Sequence, residues 1–222
     1  MGYMMKGQKV SNLYWAFHGY EGITESGFID VRSWVNDHLK YSRDVAIRSP
    51  KKSESFGSLI FSSVEYDSSK LCAGGTFTWD KPVEWFDNET FLYFNAIVNG
   101  VPTEVEPHYT FSTILLTDPI YSNFLNSLKS LGYTVSNHSG GFPGQFQISG
   151  SDAPIPPITV TIDGMDYHIP PEEFVWRDGE HVWVAVSKSV YGVVFLGAPF
   201  LRAFITRFDR LNERFGICQQ EQ

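Results

Sequence analysis

The sequence predicts a mainly β protein with two or three short helices. Turn dipeptides suited to positive φ recur between apolar runs of strand length: Asn99-Gly100, Asp163-Gly164 and Asp178-Gly179, with Asn212-Glu213 as a further turn. Aromatic residues make up 16% of the 222-residue chain, and such side chains favour strands. Apolar residues at helical spacing are confined to a few short stretches.

Taken in order, Val31, Trp34, Val35, His38 and Leu39 have helical spacing, and Ser49–Ser55 reads as a loop. Phe94–Val98 and Val101–Val105 flank Asn99-Gly100 as the first hairpin. Asp118 is the expected N-cap of a helix with Pro119 at its first position. Ile120, Phe124, Leu125, Leu128 and Leu131 form its apolar stripe, and Gly132 stops it. Ser136–Gly144 and Ser149–Pro157 read as loops. Ile158–Ile162 with Met165–Ile169 gives a second hairpin, and Glu173–Trp176 with His181–Val186 a third. Ala198–Phe204 reads as a short helix with Pro199 near its start, and Ile205–Phe208 with Arg214–Cys218 closes the chain as a hairpin. No repeat, linker or low-complexity tract interrupts this order, so residues 1–222 read as one domain.

Composition narrows the function. The net charge is −8, with 17 Lys+Arg against 25 Asp+Glu, and no dense basic run; nucleic acid and anionic membranes are therefore not expected partners. No stretch reaches the roughly 18 apolar residues of a membrane-spanning helix. Met1–Lys6 is not followed by an apolar h-region, which predicts a cytoplasmic protein, or a secreted one if a leader has been removed. Cys72 and Cys218 read as free thiols of a reducing compartment rather than as a pair. On that reading the acceptor patterns at Asn88-Glu89-Thr90 and Asn137-His138-Ser139 are chance. No spacing of His, Cys, Asp and Glu matches a metal site, and no phosphate-binding loop is present, so neither a metal nor a cofactor is expected.

Several segments, in the right order, resemble the second half of the pepsin-like aspartic proteases. The tail Val193–Arg210, with Phe195-Leu196-Gly197-Ala198 and Phe208-Asp209-Arg210, is similar to that family's closing segment. Leu13–Ile23 resembles the stretch leading between the two lobes, which implies an inter-lobe type of strand within residues 1–17. Gly57–Phe61, Asp67-Ser68-Ser69 and Gly75–Trp79 resemble the family's Gly-Gly-Ile-Asp-Ser-Ser and Gly-Ser-Leu-Asn-Trp stretch, and Ile158–Gly164 resembles its Ile-Val-Phe-Thr-Ile-Asn-Gly hairpin. The fold this implies is a single acid-protease lobe. The family's second-lobe disulfide falls in a region of this chain that has no cysteine.

The same resemblance locates a difference. Thr110–Pro119 is similar to the pattern Asp-Thr-Gly-Thr-Ser-Leu-Leu-Thr-Gly-Pro; aligned on Leu115-Leu116-Thr117, the catalytic aspartate position is Thr110 and the loop glycine is Ser112. Neither Asp-Thr-Gly nor Asp-Ser-Gly occurs in the chain, and Ala198 replaces the aspartate after Leu196-Gly197. Aspartic proteolysis needs two carboxylates sharing a proton. A threonine hydroxyl does not supply one, and a homodimer would bring Thr110 twice. The expectation is a lobe without peptidase activity.

Two functions follow as expectations. In the first, the former cleft binds an apolar small molecule through His108, Tyr109, Thr110, Phe111, Ser112, Thr113 and Trp183, as in a cyclase, pericyclase or isomerase of natural-product biosynthesis. Such a site accelerates a reaction by holding the substrate in reactive shape. In the alternative, a pseudoprotease serves as a protein- or peptide-binding module, inhibitor or subunit. A homodimer or an N-lobe-like partner would cover the sheet edge left by the missing lobe. His108 is a candidate acid or base near neutral pH, weighed against the preferred reading of a surface loop histidine.

Overall fold

The computed structural model describes residues 2–5, 8–11, 44–48, 58–62, 72, 76–80, 84–85, 92–108, 111–136, 145–209 and 212–219. The stretch Val31–Leu39, the loop Ser49–Ser55, the inter-lobe-like stretch Leu13–Ile23, the acceptors Asn88 and Asn137, and Tyr109 and Thr110 lie outside these residues. The early strands are β1 (Gly2–Met5), β2 (Gln8–Ser11), β3 (Asp44–Arg48), β4 (Ser58–Ser62), β5 (Thr78–Asp80) and β6 (Glu84–Trp85). Then follow β7 (Leu92–Val98), β8 (Val101–Pro107), β9 (Ile114–Leu116), helix α1 (Asp118–Ser130), β10 (Thr134–Ser136), β11 (Phe146–Ser149), β12 (Ile158–Ile162) and β13 (Met165–Ile169). Helix α2 (Pro171–Phe174), β14 (Val175–Asp178), β15 (His181–Val184), β16 (Val186–Lys188), β17 (Val194–Leu196), helix α3 (Ala198–Ala203), β18 (Phe204–Asp209) and β19 (Arg214–Gln219) complete the order.

Among the described residues the strands form four sheets. The largest has the order β13-β12-β7-β8-β17-β9-β16, with β6 also paired to β7. A five-stranded sheet runs β4-β3-β18-β19-β5, a four-stranded sheet runs β10-β11-β15-β14, and β1 pairs with β2. The molecule is mainly β with few short helices, as the turns and aromatic content predicted.

The hairpins form where turn chemistry permits. Asn99 and Gly100 adopt φ 48° and 82°, and β7 and β8 pair on either side. The Asn99 side-chain oxygen accepts the Thr159 N–H at 2.9 Å, which ties this turn to β12. The Asp163-Gly164 turn joins β12 and β13 over the expected residues. In the third hairpin, Asp178 pairs with His181, so the tight turn is Gly179-Glu180, one residue later than expected.

Two local readings are corrected. Thr117, not Asp118, is the N-cap of α1. Asp118 starts the helix and meets Lys188 at 2.9 Å, whose hydrogen bond and charge hold the carboxyl below its ordinary range. Ile120, Phe124 and Leu128 of its stripe are buried, with Leu125 and Leu131 packed at the margin. Glu173-Phe174, read as strand, belongs to the single turn α2: Pro171 presets φ, and the Glu173 N–H donates to the Pro170 carbonyl at 3.0 Å. Glu173 then accepts from Arg202 of α3 at 2.7 Å, both side chains being largely buried.

The main core lies between the eight- and five-stranded sheets. Phe94 of β7 packs on Phe215 of β19 with centroids 4.8 Å apart, and Tyr167 of β13 meets Phe204 of β18 edge-on at 5.4 Å. Every residue of β18 is buried. Alternation sends Phe204 and Phe208 to this core, while Ile205 joins a second cluster with Cys72, Phe77 and Cys218. Arg207 lies 5.0 Å from the Trp79 ring centre on that second side.

The cysteines overturn the free-thiol expectation. Cys72 and Cys218 form a disulfide, with Cα atoms 5.6 Å apart and both residues buried. The pairing of β5 with β19 brings the segment before β5 alongside the last strand.

Candidate functional site

The centre of the largest sheet is built from three short strands out of sequence order. β17 lies between β8, to which it is parallel, and β9, to which it is antiparallel. His108 therefore leaves β8 on one side of β17, and residues 111–113 lead into β9 on the other. Backbone bonds fasten His108 and Phe111, the described residues at the two sides of this 108–113 crossing. The His108 N–H donates to the Leu196 carbonyl at 3.0 Å, and the Ala198 N–H donates to the Phe111 carbonyl at 2.8 Å. The crossing passes so near Gly197 that a Cβ there would lie 2.5 Å from the Phe111 carbonyl oxygen, and nearer still to that of Thr113.

The side chains on the outer face follow from register. Val105 points into the core, so Glu106 points outward, opposite Phe195 of β17. Phe195 also pairs with Leu115. Glu106 is nevertheless 2% exposed and His108 7% exposed. The surface-loop reading of His108 is therefore corrected. The cause is aromatic packing: its ring stacks on Phe111 at 3.8 Å with planes 14° apart, and Phe195 stands edge-on at 5.5 Å. His108 Nε2 lies 3.9 Å from Glu106 Oε1. Tyr191 packs edge-on against Phe195 at 5.6 Å and is 69% exposed. A run of rings thus leads from solvent at Tyr191, through Phe195 and Phe111, to a buried imidazole and carboxylate.

Of the residues singled out in the sequence, the structure brings His108 and Phe111 into contact and places Ser112 and the buried Thr113 on the same crossing. Trp183 lies in the four-stranded sheet, stacked on Trp176 at 6.4 Å. Sequence reasoning missed Glu106, Tyr191 and Phe195. Strand alternation after Val105 carried a signal for Glu106; Phe195 joins the site only through the parallel pairing of β17. Among the described residues no group of three or more His, Cys, Asp and Glu side chains could hold a metal ion, and no helix is long and apolar enough to cross a membrane.

Known proteins share this architecture. The family described as eukaryotic aspartyl protease matches residues 112–220. Pepsin F of Oryctolagus cuniculus is 35% identical over 71 residues, covering 29% of this chain and 18% of pepsin F. The crystal structure of the aspartic proteinase from Irpex lacteus superposes with a TM-score of 0.62 at 18% identity, covering 84% of this chain. The chain carries a pepsin-like lobe. It spans 61% of the Irpex lacteus structure, less than two thirds of that protein.

Proposed function

We propose that this lobe is non-proteolytic and binds an apolar small molecule against the 108–113 crossing. The observation that carries the reading is the run of rings Tyr191, Phe195, Phe111 and His108, which lies beside the stretch whose sequence resembles the family's catalytic pattern. Aromatic surface supplies binding area, and the few polar groups beside it, Ser112, Thr113 and His108, supply direction. Thr110 offers no carboxylate to share a proton across a water. A ligand held there would suit isomerase or cyclase chemistry, in which orientation carries much of the acceleration. The Cys72–Cys218 disulfide favours an oxidising compartment over the cytoplasmic one expected from the sequence.

A second reading has its own observation. Val190 and Tyr191 are 82% and 69% exposed, with Tyr191 packed on Phe195, an apolar tip suited to a partner protein, either an N-lobe-like chain or a second copy. Native mass spectrometry of the purified chain separates the two. A retained small mass lost in Thr110→Trp, with the fold intact by circular dichroism, supports the ligand reading. An assembled protein mass without a small ligand supports the second. Cleavage of denatured globin at acid pH that is blocked by a statine-type inhibitor and persists in Thr110→Ala exposes a contaminant; cleavage lost in Thr110→Ala overturns the non-proteolytic reading.

A further inference from the structure

We propose that the Cys72–Cys218 disulfide is a redox-sensitive latch: its reduction by a dithiol releases Cys72 and β5 from the outer face of the β18–β19 hairpin while the main core stays folded. The two faces of that hairpin are covered unequally. Phe204, Phe208, Phe215 and Ile217 face the main core. Ile205 and Cys218 face the second cluster, where Cys72 and Phe77 are their buried partners and Trp79 packs at the margin. β5 lies at the edge of its sheet and meets β19 through three pairs, Thr78 with Ile217, Trp79 with Gly216 and Asp80 with Phe215. A short edge strand over a small cluster opens by itself, at a lower free energy than the whole fold.

The non-covalent fastenings depend on β5 keeping its register. Phe77 and Trp79 sit over Gly216, where a Cβ would lie 2.9 Å from the Trp79 ring and 3.0 Å from that of Phe77. Arg207 lies 5.0 Å and Arg214 4.0 Å from the Trp79 ring centre, contacts that weaken as water enters. With the disulfide intact, an opened β5 stays tethered beside β19 and recloses. Breaking the bond lengthens the tether and lowers the effective concentration of one strand at the other. The step consumes one dithiol. Its thiolate attacks one sulfur of the Cys72–Cys218 bond, and the other protein sulfur leaves and takes up a proton. The second sulfur of the dithiol then displaces the first cysteine and closes a disulfide in the reductant, so the protein gains the two electrons and two protons that the dithiol loses. Both cysteines are buried, so the attack proceeds through the opened form, and reduction holds the segment open. Ile205 and the Cys218 thiol are then uncovered.

Hydrogen exchange of the full chain, read by mass spectrometry, tests the latch. Dithiothreitol is the reductant, and the Cys72→Ala, Cys218→Ala double variant is the permanently unlatched form. In the reduced protein and in the double variant, a peptide covering residues 76–80 should exchange about tenfold faster than in the oxidised protein, because effective concentration falls as a tether lengthens. At the same early labelling times β7, β8 and α1 should stay protected. Exchange at 76–80 that is unchanged in the double variant overturns the latch. Loss of protection in β7 and α1 together with β5 also overturns it, since the bond then holds the whole fold rather than one segment. So does a bond that the folded protein keeps through a dithiothreitol treatment that reduces the urea-unfolded chain. None of these outcomes bears on the ligand-binding reading above.

Discussion

Replacing Gly197 by alanine tests whether the crossing is pinned where the site requires it. Gly197 has φ −79° and ψ −154°, a conformation open to any residue, so backbone preference is not the reason for glycine. The reason is proximity: the new Cβ would lie 2.5 Å from the Phe111 carbonyl oxygen and nearer still to that of Thr113, against a floor of 3.0 Å for real Cβ contacts. Both obstacles are backbone atoms, so no rotamer relieves them. The crossing must move away from β17. Overpacking of this kind costs about 1–3 kcal/mol, and weakening the 2.8 Å bond from Ala198 to Phe111 adds about 1 kcal/mol. Together these give about 2–4 kcal/mol, or a fall in Tm of about 5–15 °C for a chain of this size. Gly100→Ala is the matched control: its Cβ meets nothing within 4 Å, and only its φ of 82° opposes the change, at about 1–2 kcal/mol. Thermal unfolding followed by circular dichroism measures both, and near-ultraviolet signals report the Phe111 and Phe195 rings. If Gly197→Ala is no more destabilising than Gly100→Ala and leaves those signals unchanged, the crossing is not held by its approach to Gly197.

Three other outcomes are expected. The Cys72–Cys218 bond closes a loop of 146 residues, which by chain entropy contributes about 5 kcal/mol; urea unfolding of the Cys72→Ala, Cys218→Ala double variant should show a loss of that order, and a midpoint unchanged from the oxidised protein would contradict it. Arg202→Ala removes the largely buried partner of Glu173 and should destabilise by about 3 kcal/mol in the same assay; an effect below about 0.5 kcal/mol, the range of ordinary surface changes, would show that the α2–α3 link is inert. Burial pushes the Asp209 carboxyl up, but hydrogen bonds from Asn212 and Arg214 outweigh it and hold the group below its ordinary 3.8. Its stabilisation is therefore full above the unfolded value and lost as pH falls through the lower folded value; Asp209→Asn should flatten the decline in stability below about pH 4, and an identical acid slope in that variant would refute the assignment.

Much of the fold was legible because its signals are local. Asn99-Gly100 and Asp163-Gly164 announce their turns through backbone chemistry, and the apolar stripe from Ile120 to Leu131 announces α1. Where tertiary partners decide, the sequence was silent or misleading. Pro170-Pro171 followed by Glu172-Glu173-Phe174 reads equally as a strand entry or a helical turn, and the Arg202 guanidinium that engages Glu173 comes from a later helix. The disulfide depends on β5 lying beside β19, a pairing between segments far apart in the chain. His108 resembled a surface histidine because its burial is supplied in part by Phe195 from β17. Glu106 has the outward phase of a solvent-facing residue, and only the aromatic packing beside it shows otherwise.

The complete burial of β18 has a consequence for synthesis. β18 and β19 occupy interior positions of the five-stranded sheet, flanked by β3 and β5, which are translated long before them. β17 likewise separates β8 from β9 in the larger sheet. A nascent chain therefore carries a gap in the larger sheet until β17 is made and one in the smaller sheet until β18 and β19 are made, and pairings of this range are slow to form. A premature stop after α3 would remove the strand on which both clusters close and expose Phe94, Tyr167 and Phe77 together. Until the β18–β19 hairpin fills its gap, the unpaired edges of β3 and β5 invite association.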